Sequence, residues 1–127
     1  MSVHAINHIN IAVPQPLMQR VRDFYVNALG LEDRPRSRGA MTGHWLYGGG
    51  QALIHLMAPR EAGDEPARGS AAIDHIALTC TNLVAMKERL ERERVSYRER
   101  EAISEGFVQL FVMDPAGIRV ELNFCSS

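Results

Sequence analysis

Cysteine is scarce in this sequence, with only Cys80 and Cys125 in 127 residues. Two thiols are too few for a disulfide framework and lack the paired spacing of a structural zinc site, so both read as small buried groups. An excess of charge is missing too, with 14 basic against 15 acidic side chains. No strong field attracts a nucleic acid or an anionic membrane, and neither is an expected partner. No apolar run approaches the roughly 20 residues of a membrane span. The start MSVHAINH has neither the cationic beginning nor the apolar stretch of a signal peptide. A cytoplasmic protein acting on a small molecule is the expectation. At this length the chain makes a single domain, 1–127, able to bury a core without stapling.

What is present is an internal repeat. Ile6-Asn7-His8-Ile9-Asn10-Ile11-Ala12 reads like Ile73-Asp74-His75-Ile76-Ala77-Leu78-Thr79, which places His8 over His75. Both stretches alternate as strands do. A helical pattern follows each: Leu17, Val21, Phe24, Tyr25 and Ala28 in the first half, Leu83, Met86 and Leu90 in the second. Pro14 and Pro16 introduce the first helix and Gly30 follows it, while Asn82 or Thr81 caps the second. A hairpin closes each half, through Gly48-Gly49-Gly50 in one and Asp114-Pro115-Ala116-Gly117 in the other. Further strands are expected around Asp33 to Arg38 and Ser96 to Ala102. Within the hairpins His55 falls over Glu121, so the register is kept to within one residue. Residues 59–71 combine turn formers and charges without apolar period and read as a linker between module one, 1–58, and module two, 72–127.

Residues two apart share a face of a strand. Ile9, Ile11 and Val13 thus oppose His8, Asn10 and Ala12, and Val120, Leu122 and Phe124 oppose Arg119, Glu121 and Asn123. His55 shares its face with Gln51, Leu53 and Met57, opposite Ile54 and Leu56. A sheet covered by helices on its apolar side and curled on the other gives an interior where His8, His55, His75 and Glu121 meet on one divalent ion. Nitrogen and oxygen donors of this kind suit nickel, zinc, iron, manganese or cobalt. A glutamate between Val120 and Leu122 needs a cation to stay charged, and no CxxC or HExxH cluster competes.

The layout resembles the vicinal oxygen chelate superfamily, which contains glyoxalase I, extradiol dioxygenases, methylmalonyl-CoA epimerase, fosfomycin-resistance thiol transferases and bleomycin-binding proteins. His8 to Val13, Phe24-Tyr25 before Leu29-Gly30-Leu31, Asp74-His75-Ile76-Ala77, and Asp114 to Leu122 carry the resemblance over nearly the whole chain. It implies an α+β fold in which two βαβββ modules form an open eight-stranded half-barrel sheet with helices on the outer face. It also implies that His8, His75 and Glu121 occupy the usual ligand positions. His55 departs from glyoxalase I and the epimerase, which carry a glutamate or glutamine there.

Four side-chain donors on an octahedral ion leave two positions open, enough for both oxygens of an ene-diolate. That points to a glyoxalase-I-like lyase or isomerase, with Glu121 moving a proton between adjacent carbons and His55 as ligand or alternate base. A dioxygenase using Fe(II) is the second reading: His8, His75 and Glu121 make its ligand face, and His55 stands off as an acid or base. A thiol transferase comes third, since Ser104-Glu105-Gly106 resembles the loop of the fosfomycin-resistance enzymes, although Asn10 replaces their threonine. Metal-free drug binders of the same fold lack the four ligands that this chain keeps. Gln51 and Gln109 are candidate substrate contacts, and Arg34, Arg36, Arg38, Arg100 and Arg119 are candidate anion contacts. Trp45, Tyr47 and Phe111 line a groove or pack the core, and His4 and His44 read as structural or exposed. Sheet edges that need cover make a homodimer the expected assembly.

Overall fold

A computed structural model describes residues 5–34, 43–58, 75–102 and 106–125. The first module runs β1 (Ile9–Ala12), α1 (Gln15–Asp23), a π-helical turn (Phe24–Ala28), β2 (Glu32–Arg34), β3 (Gly43–Gly48) and β4 (Gln51–Met57). The second runs β5 (Ile76–Cys80), α2 (Leu83–Arg92), β6 (Arg98–Ala102), β7 (Phe107–Met113) and β8 (Arg119–Cys125). Each module is therefore a βαβββ unit, as the repeat requires, and the fold is α+β. The strands make two open four-stranded sheets, ordered β1-β4-β3-β2 and β5-β8-β7-β6. In each sheet the first strand runs parallel to the last, so the helix makes the crossover and the remaining pairs are antiparallel. The expected linker lies outside the described residues.

Local chemistry explains the boundaries. Pro14 precedes α1 and Pro16 sits in its first turn, where a missing N–H costs nothing. The helix then widens into the π turn instead of stopping, and Gly30, at φ +86°, ends it. β3 and β4 are joined by Gly49 and Gly50, both at positive φ (60° and 81°), the conformation that a two-residue turn between twisted strands demands. Asn82 caps α2 from a left-handed backbone at φ 62°, its Oδ1 accepting the Ala85 N–H at 3.1 Å. Asn82→Ala loses that acceptor and places a Cβ in left-handed backbone, so it should cost about 1–2 kcal/mol in urea unfolding. Asn82→Gly, which accepts the backbone, should recover most of it; equal losses in the two variants would reject this account.

The apolar faces pack under the helices as the alternation dictates. Val13, Val21, Leu46, Ile54, Leu56, Leu90, Leu110, Val120 and Leu122 are essentially inaccessible, and both modules contribute to one core. The modules meet through their helical layers: the π turn packs against α2. Tyr25 from that turn donates to Asp114 Oδ2 at 2.7 Å, both residues being buried.

One expected neighbour is corrected. Leu53 does not share the face of His55. An irregularity between Leu46 and Tyr47 pairs Tyr47 with Ala52 while Leu46 pairs with Ile54, which leaves Leu53 as an extra residue turned against the core.

Candidate metal centre

All four proposed donors lie on the sheet faces turned away from the core. Ile11 and Val13 are buried while Asn10 and Ala12 on the reverse side are exposed; Ile54 and Leu56 flank the half-buried His55. Val120 and Leu122 likewise flank the half-buried Glu121, and Ile76 is buried beside the exposed His75. His8 and His75 each stand just before the first strand of a module, and His55 and Glu121 stand within the last.

Within one chain the donors come together as two pairs. His8 and His55 stack with ring centroids 4.0 Å apart and planes inclined by 15°. The Trp45 indole covers His55 in turn, at 4.9 Å and 13°, so three rings form a column. Trp45 and His55 are direct cross-strand partners, which explains their contact. In the second module His75 Nε2 lies 3.9 Å from Glu121 Oε1, with 38% and 13% of the two side chains exposed. Among the described residues no three His, Cys, Asp or Glu side chains gather closely enough to hold an ion within the chain.

The two pairs fit an ion differently. A separation of 3.9 Å is too long for a hydrogen bond. It suits two donors on one ion, which are roughly 3–4 Å apart when each lies about 2.1 Å from it. Glu121 is also held in place, because Asn123 Nδ2 donates to its Oε2 at 3.0 Å and leaves Oε1 on the side of His75. The lone pairs of the stacked imidazoles lie in two nearly parallel, separate planes, so at least one ring must turn for both to ligate. His8 Nδ1 lies 2.9 Å from Asn7 Oδ1, which leaves its Nε2 as the donor.

Asn123 and Asn7 escaped the sequence reading. The available signal was spacing: Asn123 stands two residues beyond Glu121 on the same strand face. His44, expected to be structural or exposed, points to the other side of β3, half-buried, with Nδ1 2.9 Å from Asp33 Oδ2. Arg22 Nε donates to the same oxygen at 2.9 Å, and this bond, with that to Asp23, holds the guanidinium above its usual pKa. Phe111, paired with Glu121, carries the Arg98 guanidinium 5.3 Å from its ring centre, while Arg34 lies 4.2 Å over Tyr47. Phe111, Trp45 and Tyr47 thus occupy the non-core faces. Gln51, Arg100 and Arg119 are exposed, and Gln109 is half-buried opposite Asn123. Burial pushes the thiol of the half-buried Cys80 above its usual pKa, whereas Cys125, expected to be buried, is exposed because it ends β8. His4, Arg36, Arg38, Ser104 and Glu105 lie outside the described residues. No described helix is long and apolar enough to cross a membrane.

The chain is similar in fold to proteins of diverse chemistry. A protein described as of the glyoxalase family, from Bacillus anthracis, is 24% identical with a TM-score of 0.72, over 98% of each chain. An antibiotic-binding protein from Streptomyces is 18% identical with a TM-score of 0.68, over 99% of each chain. A genomically encoded fosfomycin resistance protein from Listeria monocytogenes is 18% identical with a TM-score of 0.68, over 96% of this chain and 93% of that one. No curated protein matches the sequence. The family described as Glyoxalase/Bleomycin resistance protein/Dioxygenase superfamily matches residues 5–122. With nearly its whole length matched, this chain belongs to the glyoxalase/bleomycin resistance/dioxygenase superfamily.

Proposed function

We propose that the protein is a divalent-metal enzyme of the glyoxalase type, isomerising a small substrate that carries two neighbouring oxygens, such as the hemithioacetal of a 2-oxoaldehyde. The observation that carries this reading is the His75–Glu121 pair, whose donor atoms stand 3.9 Å apart. That distance suits a shared ion of the nickel, zinc, iron, manganese or cobalt type, held by imidazole and carboxylate. The matching pair, His8 and His55, sits at the equivalent place of the first module. Because the two modules meet through helices, we assign the complete site to a homodimer, with His8 and His55 of one chain facing His75 and Glu121 of a second. The edge strands β1 and β5, each bonded on one side only among the described residues, are the natural seams for that contact.

A bound divalent ion would supply Lewis-acid stabilisation as negative charge develops on the two substrate oxygens. The protein's own groups do the rest. Asn123 fixes the carboxylate of Glu121 through Oε2, and that carboxylate takes a proton from one carbon and returns it to its neighbour. Trp45 confines His55 from one side and His8 from the other, which limits its rotation and shields that part of the site from water.

The same stack supports a second reading. If His55 keeps its place in the column, only His8, His75 and Glu121 ligate, and the three open positions suit extradiol cleavage of a catechol. Metal analysis of protein purified without chelator should find close to one divalent ion per chain, lost in His75→Ala. Unchanged metal content in that variant would remove the site assignment. Turnover of hemithioacetals should exceed ring cleavage of catechols by anaerobically iron-loaded protein; the opposite result selects the dioxygenase.

A further inference from the structure

The face of the second sheet holds more than the His75–Glu121 pair. Ala77, Glu121, Phe111 and Arg98 form one row across β5, β8, β7 and β6. The next row is polar throughout: Thr79, Asn123, Gln109 and Arg100. At its centre two amide side chains, of Asn123 and Gln109, stand directly opposite each other. Asn123 is oriented by its own bond, since Nδ2 donates to Glu121 Oε2 at 3.0 Å and Oδ1 must point away. Asn123 Oδ1 and Gln109 Oε1 are both buried, and neither has a hydrogen-bond partner among the described residues.

Buried carbonyl oxygens without donors are rare because losing water without gaining a partner destabilises the fold. Two of them side by side, one residue pair along from the carboxylate that moves the proton, mark a place where stability yields to function. We propose that Gln109 Oε1 and Asn123 Oδ1 form a substrate subsite that accepts a hydrogen bond from an amide N–H or a hydroxyl of the substrate. The inference deepens the isomerase reading by naming the substrate class: adducts with a neutral donor group beside the reacting carbons. Residues two apart on a strand are separated by about 6.5 Å, so the donor belongs roughly that far from the atoms facing Glu121. A thiol adduct whose N–H or O–H lies two carbons beyond sulfur spans this distance, whereas a plain alkyl thiol adduct leaves both acceptors dry.

The test compares three hemithioacetals of methylglyoxal, made with N-acetylcysteamine, 2-mercaptoethanol and ethanethiol. The first two carry an N–H or O–H donor and the third carries none. For the native protein, kcat/KM should favour the donor-bearing adducts by about tenfold or more. Gln109→Met keeps the length of the side chain and removes its acceptor, so the preference should shrink to within about threefold. The same substitution deletes an unpaired buried oxygen and should raise Tm by about 4 °C, which a merely structural glutamine would not do. An unchanged preference, or a fall in Tm showing that Gln109 is bonded to Asn123 in the free protein, overturns the subsite.

Failure of the isomerase reading is seen separately, as absence of turnover with all three adducts. In that case the side-chain amide signals of Gln109 and Asn123 are followed by NMR in metal-free protein titrated with N-acetylcysteamine and with ethanethiol. Shifts with the first and none with the second uphold the subsite. No shift with either, or the same shift with both, overturns it.

Discussion

Glu121→Gln should lower kcat/KM by about a thousandfold or more with metal at saturation, a loss larger than any other single substitution in the site produces. The replacement keeps the shape of the side chain, and its oxygen still accepts from Asn123 Nδ2, so the fold is undisturbed. What disappears is the charge. Glu121 is 13% exposed and sits between the buried Val120 and Leu122. An ionised carboxylate in that setting needs hydrogen bonds and a cation, and Asn123 provides only one of these. In the proposed site that cation is the divalent ion shared with His75, whose Nε2 stands 3.9 Å from Glu121 Oε1. The amide is a poor ligand for such an ion and no base at all. Two measurements separate these losses. Metal content at fixed free metal should fall, and saturating metal should restore occupancy without restoring turnover. Activity within tenfold of the native protein would exclude Glu121 as the group that moves the proton.

The repeat made much of this legible. His8 aligned with His75 and His55 with Glu121 because strand alternation is a strict period, and one buried residue such as Ile54 or Val120 fixes the face of its neighbour. The same reasoning failed at Leu53, where an extra residue broke the period; nothing in Ala52-Leu53-Ile54 announces a bulge, since all three are apolar. Pairing between distant strands was also beyond the sequence. That His8 and His55 stack, with Trp45 over them, depends on β4 lying between β1 and β3. Alternation could place donors on a face, but it could not say which neighbours they touch, so the division into two pairs became visible only in three dimensions.

Tyr25 shows a subtler limit. Its position in a helical apolar pattern marked it as core, and it is completely buried. Its hydroxyl, however, serves Asp114, 89 residues away. The π turn that carries Tyr25 has no distinguishing pattern in Phe24-Tyr25-Val26-Asn27-Ala28. The Asp114-Pro115-Ala116-Gly117 turn was legible as a hairpin, but its partner in the other module was not.

Asp114→Ala is the substitution expected to damage stability most, by about 3–5 kcal/mol, a large part of a domain's total. Asp114 is 2% exposed and every oxygen of its carboxylate is in use. Oδ1 accepts the backbone N–H groups of Ala116 at 2.9 Å and Ile118 at 2.8 Å, which closes the turn before β8. Oδ2 accepts the Tyr25 hydroxyl at 2.7 Å, which ties that turn to the first module. Alanine takes the acceptor from three donors at once, the buried Tyr25 hydroxyl and the part-buried N–H groups of Ala116 and Ile118, and the penalty for a dry donor exceeds the gain from any single bond. Burial, with the negative charge of Asp114, keeps the Tyr25 phenol protonated far above its usual range, so it stays a donor at every working pH. Tyr25→Phe alone removes one bond and leaves Asp114 with two donors, so it should cost about 1–2 kcal/mol. Asp114→Asn retains an acceptor for the turn and should fall between the two. Urea unfolding of the single variants and of Tyr25→Phe with Asp114→Ala measures the coupling, expected at about 1–3 kcal/mol. A loss below about 1 kcal/mol in Asp114→Ala, or additive effects in the double variant, would show that the modules are held by their apolar core without this clasp. On the proposed dimeric site the consequence reaches further: the clasp ties the turn before β8 to the first module, and so orients the edges β1 and β5 that a second chain would meet. Weakening it should therefore lower metal occupancy as well as stability, although Asp114 touches none of the four donors.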